Sequence, residues 1–420
     1  MQLPDEFVRR TRLLMGEERF ERYLKAFEEE PPVSIRLNPL KCGKWKEESG
    51  KWKVDGGERI PWCRDAYYLD KRPNFTFDPL FHAGCYYVQE AASMFIDEIL
   101  RQLSSLHPLP FTLHALDMCA APGGKSTLLR AALPEDCVLY SNEPIRNRAS
   151  ILLENVQKWG YEHHFVTNLY PKDYRKSKMM FDLILCDVPC SGEGMFRKDE
   201  ATIKEWSEQN VEKCWQLQRE IVSDAWQCLN EGGIMIYSTC TFNTKENEEN
   251  VKWMMEELGA EVVPIDTKPE WHITGSLLEG FSEPVYRFIP GITRSEGLFV
   301  CVLRKKCFKS VSTEETTCFH GGNNVFQRRK QLVSPMETNQ IHADVPHVEL
   351  SYQQAMAYLR HEALVLPAET PRGIVEVCFM GEGLGLAKNI GTRANNLYPK
   401  EWKIKTTHIP NEYEPILKLI

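Results

Sequence analysis

The spacing of apolar and polar residues changes character along this chain. Between residues 111 and 305, short apolar runs alternate with stretches in which apolar residues recur every three or four positions. The runs predict strands at Leu113–Met118, Val138–Asn142, Phe165–Thr167, Asp182–Cys186, Ile234–Tyr237 and Leu298–Leu303. The periodic stretches predict helices at Lys125–Ala132, Ile145–Lys158, Glu200–Leu229 and Glu246–Leu258. Strands alternating with helices imply βαβ units and an α/β fold with a mostly parallel sheet. Residues 1–75 mix helical and extended signals, and an aromatic-rich segment, Phe75 to Met94, leads into an apolar helical run at Ala91–Leu100. From Lys306 to about Asn339 the chain turns polar, as a linker does, and residues 340–420 regain apolar content. The expected organisation is therefore an N-terminal subdomain (1–75), a central domain (76–306), a linker (307–339) and a small C-terminal domain (340–420), with no internal repeat.

Composition narrows the class. The 420 residues are 42% hydrophobic and 26% charged, as in an ordinary soluble globular protein. The amphipathic N-terminus lacks the apolar core of a signal peptide, and no apolar run approaches the ~20 residues that span a bilayer. A cytoplasmic location without membrane association is expected. The 14 cysteines show no CxxC pairs or Cys/His ligand spacing, so neither a disulfide framework nor a metal site is expected. A net charge of −8 argues against a broad, non-specific nucleic-acid binder but leaves room for a local basic groove. Arg9–Arg12 and the Lys41–Lys53 segment are candidates for one, although a charged run is more often a solvated face.

Three sites carry candidate chemistry. Cys190, in DLILCDVPCSGEG, and Cys240, in GGIMIYSTCTFN, each follow an apolar strand-like run where it breaks into polar residues. Strand ends of an α/β sheet open onto its binding crevice, so two thiols there could face one substrate. The competing reading is that both are small buried residues. The third site is LHALDMCAAPGGKSTLL, where a strand ending at Asp117 passes through a small-residue loop into a helix opened by Lys125. Gly123 and Gly124 allow close backbone approach, and the helix N-terminus offers unpaired N–H groups. Glu143 closes the next strand, 19 residues after Gly124, where an acid accepts hydrogen bonds from ribose hydroxyls. GGKST also looks like the end of a P-loop, and LILCD could supply a magnesium-binding Asp187. A P-loop, however, needs Gly where this chain has Cys119, and the loop is short around Pro122. S-adenosylmethionine, which has a ribose but no phosphate, fits better.

Asp187-Val188-Pro189-Cys190 falls where methyltransferases meet the acceptor. Amine methylases place an aromatic where Cys190 stands, so amine chemistry fits poorly. A thiol suits carbon methylation: addition to C6 of a pyrimidine makes C5 nucleophilic enough to take a methyl group. Asp187 could hydrogen-bond the activated base near N3 and the exocyclic amine, if the base is cytosine; the competing role is a structural turn cap.

CAAPGGK (119–125), DVPCSGEGMFRK (187–198) and STCT (238–241) together resemble the bacterial Sun/Fmu/Nop-type RNA (cytosine-5) methyltransferases. HAGCYYVQEAASM (82–94) and SIRLNPLK (34–41) are similar to further family segments, so the likeness covers about residues 30–305. GLGLAKNIGTRANNLYPK (383–400) is similar to the PUA-like RNA-binding module of the branch acting on small-subunit ribosomal RNA. The resemblance implies a Rossmann-like class I methyltransferase core between an N-terminal α+β subdomain that contacts RNA and a PUA-like C-terminal domain. It implies S-adenosylmethionine as cofactor and rRNA, free or within a ribosomal subunit, as partner, with the enzyme a monomer. It assigns Cys240 as nucleophile and Cys190 to release of the RNA. The cofactor positions it implies are Cys119, Ala120, Ala121, Pro122, Gly123, Gly124, Lys125, Glu143, Asp187 and Asn168, the last being usually Asp; Lys125 and Asp187 also lie near the reacting base. A tRNA methyltransferase and a non-catalytic ribosome-assembly factor on the same fold are the alternatives.

Overall fold

The computed structural model describes residues 3–42, 52–106, 113–307, 332–333, 345–406 and 408–419. They fall into two units, one of Met1–Pro32, Glu90–Ala149 and His163–Ser334, the other of Val33–Gln89, Ser150–Glu162 and Pro335–Ile420.

The first unit is built on a twisted sheet whose seven main strands we number β1 (His114–Asp117), β2 (Val138–Asn142), β3 (His164–Thr167), β4 (Phe181–Asp187), β5 (Leu229–Thr239), β6 (Ala260–Val262) and β7 (Leu298–Lys305). Their spatial order is β6-β7-β5-β4-β1-β2-β3. The five strands β1 to β5 run parallel, and β7 is antiparallel to both β5 and β6. A parallel sheet covered on both faces needs strands apolar on both sides. FDLILCD in β4 meets that need, with five of its seven residues buried. The core beneath it joins Leu116, Ile184, Cys186, Met235 and Tyr237 to Ile221, Ala225 and Val251 from flanking helices. Short pairings extend the sheet: Tyr286–Phe288 beside β7, and Leu332–Val333, within the predicted linker, beside β3. The rest of that linker beyond Cys307, like most of the Lys41–Lys53 segment, lies outside the described residues.

Three elements depart from the sequence expectation. The single helix expected over Glu200–Leu229 is two, Glu200–Glu205 and Glu208–Gln227. Trp206 is extended, its indole donates to Glu193 at 3.0 Å, and the Ser207 hydroxyl caps the second helix by accepting from the Asn210 N–H. β5 also begins five residues early, at Leu229, because Leu229 pairs with Phe181 before the register shifts ahead of Ile234. β6 is a three-residue strand too short to show a period.

The second unit holds one sheet in which Val33–Leu37 lies between Ala66–Leu69 and Tyr86–Val88, and another of His347–Glu349, Gly373–Phe379, Glu382–Asn389 and Ala394–Asn396. One hydrophobic core serves both: Ile35, Leu37, Leu80 and Tyr86 are buried with Ala355, Tyr358, Val375 and Val377. The N-terminal and C-terminal segments separated in the sequence reading thus share a core. On the second sheet the buried Glu376 carboxylate has His347 Nε2 at 3.3 Å.

Candidate active site

Because β1 to β5 are parallel, their carboxyl ends share one edge, where an open α/β sheet places its ligands. β1 ends at Asp117, β4 at Asp187 and β5 at Thr239, so the loops carrying residues 118–123, 188–192 and 240–247 emerge together.

In the first loop the Ala120 N–H donates to the Asn142 carbonyl at 2.8 Å, and the Ala121 carbonyl accepts from Arg148 at 3.1 Å. Ala121–Pro122 is cis, and Gly123 has φ 119°, a conformation glycine takes without strain. The helix then begins at Gly124. Beneath the loop, Asp117 is fully buried and accepts from the Ser126 hydroxyl at 2.6 Å; burial, with Asp187 adding, lifts its pKa to about 7. Burial also pushes the Cys119 thiol well up, which keeps it protonated.

Glu143 lies at the end of β2 and is 2% exposed. Its carboxylate accepts from the Ile145 N–H at 2.9 Å and has Arg148 at 3.3 Å. Asn168, just beyond β3, donates its amide to the Glu143 carbonyl at 2.6 Å. Two of the sequence-selected positions are thus coupled directly.

The thiols meet. Cys190 Sγ and Cys240 Sγ are 3.2 Å apart, and the Cys240 N–H donates to Cys190 Sγ at 3.4 Å. Their mutual hydrogen bond, followed by burial, holds the Cys190 thiol well above its usual range. Lys125 Nζ bonds Asp187 at 2.8 Å, and the Ser238 hydroxyl donates to the other Asp187 oxygen at 2.7 Å. Burial pulls the Lys125 ammonium down, but the charges of Asp187, Cys240 and Asp117 together carry it above its ordinary value. A fixed ammonium beside an acceptor carboxylate and two thiols can bind a polar planar base, stabilise developing negative charge and supply a sulfur nucleophile.

Sequence reasoning missed the residues that hold these groups. Ser238 lies on β5 two positions before Cys240, and its place in the Ser-Thr-Cys motif is the available signal. Glu246 and Glu193 give none: Glu246 opens the helix expected over Glu246–Leu258, which in the structure begins at Glu248, and Glu193 stands in DVPCSGEGMFRK without a role of its own. Arg197, in the DVPCSGEGMFRK segment, pairs with the buried Glu296 at 2.7 Å.

The comparisons with known proteins fit this geometry. A family model described as 16S rRNA methyltransferase RsmB/F matches residues 106–304. The N-terminal domain of 16S rRNA methyltransferase RsmF matches residues 3–91, and the RsmF PUA domain matches 345–404. This chain belongs to the RsmB/F methyltransferase family. Ribosomal RNA small subunit methyltransferase F of Aliivibrio salmonicida is 32% identical over 316 residues, covering 72% of this chain and 64% of the relative. The chain therefore spans a little under two thirds of the length of that relative. The protein of the same description from Erwinia tasmaniensis is 25% identical over 472 residues, covering 95% of this chain and 96% of its own. Among solved structures, a methyltransferase homolog from Pyrococcus horikoshii aligns with TM-score 0.57 and 26% identity, over 70% of this chain and 92% of that one. NSun6 from Pyrococcus horikoshii with SFG aligns with TM-score 0.57 and 22% identity, over 72% and 98%, a likeness of fold. The core is thus a Rossmann-like methyltransferase domain, followed by a PUA domain. No helix among the described residues is long and apolar enough to cross a membrane.

Proposed function

We propose that this chain is an S-adenosylmethionine-dependent RNA methyltransferase that modifies C5 of cytosine in small-subunit ribosomal RNA. The observation that carries the reading is the thiol pair, 3.2 Å apart, on the same strand edge as the Lys125–Asp187 pair and the glycine loop. The names of the relatives point to the same substrate.

The donor set suits the cofactor. The loop of Cys119, Ala120, Ala121, Pro122, Gly123 and Gly124 would cradle it, the Glu143 carboxylate would accept from the ribose hydroxyls, and Asp187 and Lys125 would border its reactive end. With its nitrogen committed to Glu143, Asn168 would offer its oxygen to the adenine amine. When bound, the cofactor supplies an electrophilic methyl on a sulfonium.

The chain's own groups do the rest. Cys240 Sγ, as thiolate, forms a bond to C6 of the cytosine, and the ring electrons move toward C5. Asp187 holds the base through N3 and the exocyclic amine, and Lys125 offsets the developing charge. C5 takes the methyl group, its proton leaves to a base, and the C6–S bond breaks with its electron pair leaving on Cys240 as thiolate. Cys190, whose environment favours the protonated thiol, assists that last release. The target base must leave its stack to reach Cys240. Residues 1–75 and the PUA domain would supply RNA contacts beyond the base.

Bisulfite mapping of rRNA and tRNA from cells with and without the gene tests the proposal. A 5-methylcytosine in small-subunit rRNA that disappears with the gene is expected. Loss confined to tRNA would transfer the activity to that substrate, and methyl transfer to RNA without 5-methylcytosine would overturn it.

A further inference from the structure

Fifty positions of sequence separate the thiols, so something must bring their loops together and keep them there. The side chain at the junction is Glu246, which no motif singled out. It is wholly buried in the loop that follows β5. One carboxylate oxygen accepts from the Ser191 N–H at 3.0 Å and from Gln218 Nε2 at 2.7 Å; the other accepts from Asn243 Nδ2 at 2.8 Å. Ser191 directly follows Cys190. Gln218 also donates to the Pro189 carbonyl at 2.9 Å, so the Cys190 loop is gripped on both sides of the thiol. Asn243 lies three residues beyond Cys240, and its Oδ1 accepts from the Glu246 N–H at 2.9 Å. The Tyr237 hydroxyl, within β5, donates to the Glu246 carbonyl at 2.6 Å and fixes the backbone from below.

We infer that Glu246 is a positioning residue whose carboxylate fastens the Cys190 loop to the Cys240 loop and so sets the separation of the two thiols. The inference rests on the methyltransferase reading for its consequence in turnover, but not for the geometry it describes. Neutral contacts add to the junction: the Ser191 and Thr241 hydroxyls, each one residue past a thiol, are 2.9 Å apart, and the Gly194 N–H donates to the Cys240 carbonyl at 2.7 Å. Both are neutral bonds, weaker than bonds to a charged group. A buried carboxylate is costly unless donors match it, and here three do. Burial, and then the Glu193 carboxylate, lift its pKa to about 7. Glu193, three residues past Cys190, is a second acid across the junction: its carboxylate accepts from the Phe242 and Asn243 N–H groups at 2.7 and 3.0 Å. The loop after β5 is thus moulded around two acids, one from each loop, and it is the Glu246 carboxylate that takes the Ser191 N–H, beside the contacts of the Ser191 hydroxyl with Thr241 and Asn243.

The test compares wild type, Glu246→Ala and Glu246→Gln in the full chain. Phenylarsine oxide, which bridges two adjacent thiols, reports their spacing without RNA; its binding is read as the difference from the matching Cys190→Ser form. Turnover, the KM for S-adenosylmethionine and the thermal midpoint are measured alongside. Glu246→Ala should lose the Cys190-dependent arsenical binding. It should also turn over roughly 10- to 100-fold more slowly, with KM for the cofactor held within about twofold, as misplacement of reacting groups predicts. Glu246→Gln, which keeps one acceptor oxygen, should recover most of both. Arsenical binding and turnover left intact in Glu246→Ala would overturn the inference. So would losses that track the thermal midpoint and cofactor KM equally and are not recovered by Gln. A wild-type protein that makes no 5-methylcytosine would instead defeat the proposed function, with the arsenical result still deciding the clamp.

Discussion

The two thiols are near neighbours with different surroundings, and that difference predicts different consequences of losing each. Cys190 is held protonated by its bond to Cys240 and by burial. A protonated thiol is the wrong species to attack C6 but the right one to take part in a later release. Cys240→Ala should therefore abolish the covalent RNA adduct seen as a retarded band under denaturing electrophoresis, whereas Cys190→Ala should let the adduct form and persist. The opposite pattern would exchange the two roles. Both cysteines were legible because each ends a strong strand signal; which one attacks was not, since spacing treats them alike. Asp117 shows the same limit. It reads from sequence as the end of a strand, but its burial over Ser126 appears only in three dimensions. Its pKa of about 7 lies above the ordinary 3.8, so the folded state binds a proton that the unfolded state releases. Stability from this group is full below about pH 4 and is lost as the pH rises through about 7. Asp117→Asn, neutral throughout and still able to accept from Ser126, should gain thermal midpoint over wild type progressively across that window and level off above it. A gap that does not change with pH would show that Asp117 is ionised in the fold.

The strands and their carboxyl-end loops were readable as elements because short apolar runs alternate with helical periods and break into polar residues. What could not be read was how closely the loops approach one another. Gly194 illustrates this: a Cβ there would lie 2.8 Å from the Cys240 carbonyl and 3.1 Å from that of Glu296. Both obstacles are backbone, which cannot swing aside. In the sequence Gly194 is one of two glycines in SGEG and looks like turn punctuation. Gly194→Ala should push the Cys240 loop outward and reduce turnover by about tenfold or more, given the sensitivity of reaction to small displacements. Glu143 and the 119–124 loop, on neighbouring strands, would be unaffected, so calorimetric binding of S-adenosylmethionine should stay near wild type. Equal loss of both would place Gly194 in the general support of the sheet. The broken helix at Trp206 belongs to this scale too. Ser207 with Asn210 is a capping signal inside an otherwise continuous helical pattern, but the deciding force is the Trp206 indole bonding Glu193, a contact no local pattern reports.

At the scale of the molecule, the sequence reading placed a boundary near residue 75 and a separate domain after 340, because composition shifts there. The core crosses that division. Ile35, Leu37, Leu80 and Tyr86 are buried in one cluster with Tyr358, Val375, Val377 and Leu384, none of which local periodicity could pair across three hundred residues. Tyr413 adds a hydrogen bond to Asp78 at 3.0 Å, and Tyr352 donates to the Phe77 carbonyl at 3.2 Å. Removing residues 345–420 would therefore expose apolar side chains on 33–89, each worth about 1.5–3 kcal/mol when buried, and would leave the Asp78 carboxylate without its Tyr413 donor. A separable C-terminal domain predicts that the truncated chain keeps the cleavage pattern of the full protein over residues 33–89. A shared core predicts that limited proteolysis cuts this segment rapidly after truncation while the β1–β7 sheet stays protected, and this is the result expected. The same chain should still capture the arsenical through Cys190 and Cys240, because the residues that bond the two thiol loops to each other lie within 189–250, inside the other unit. Loss of that capture on truncation would mean that the thiol site depends on the second core as well.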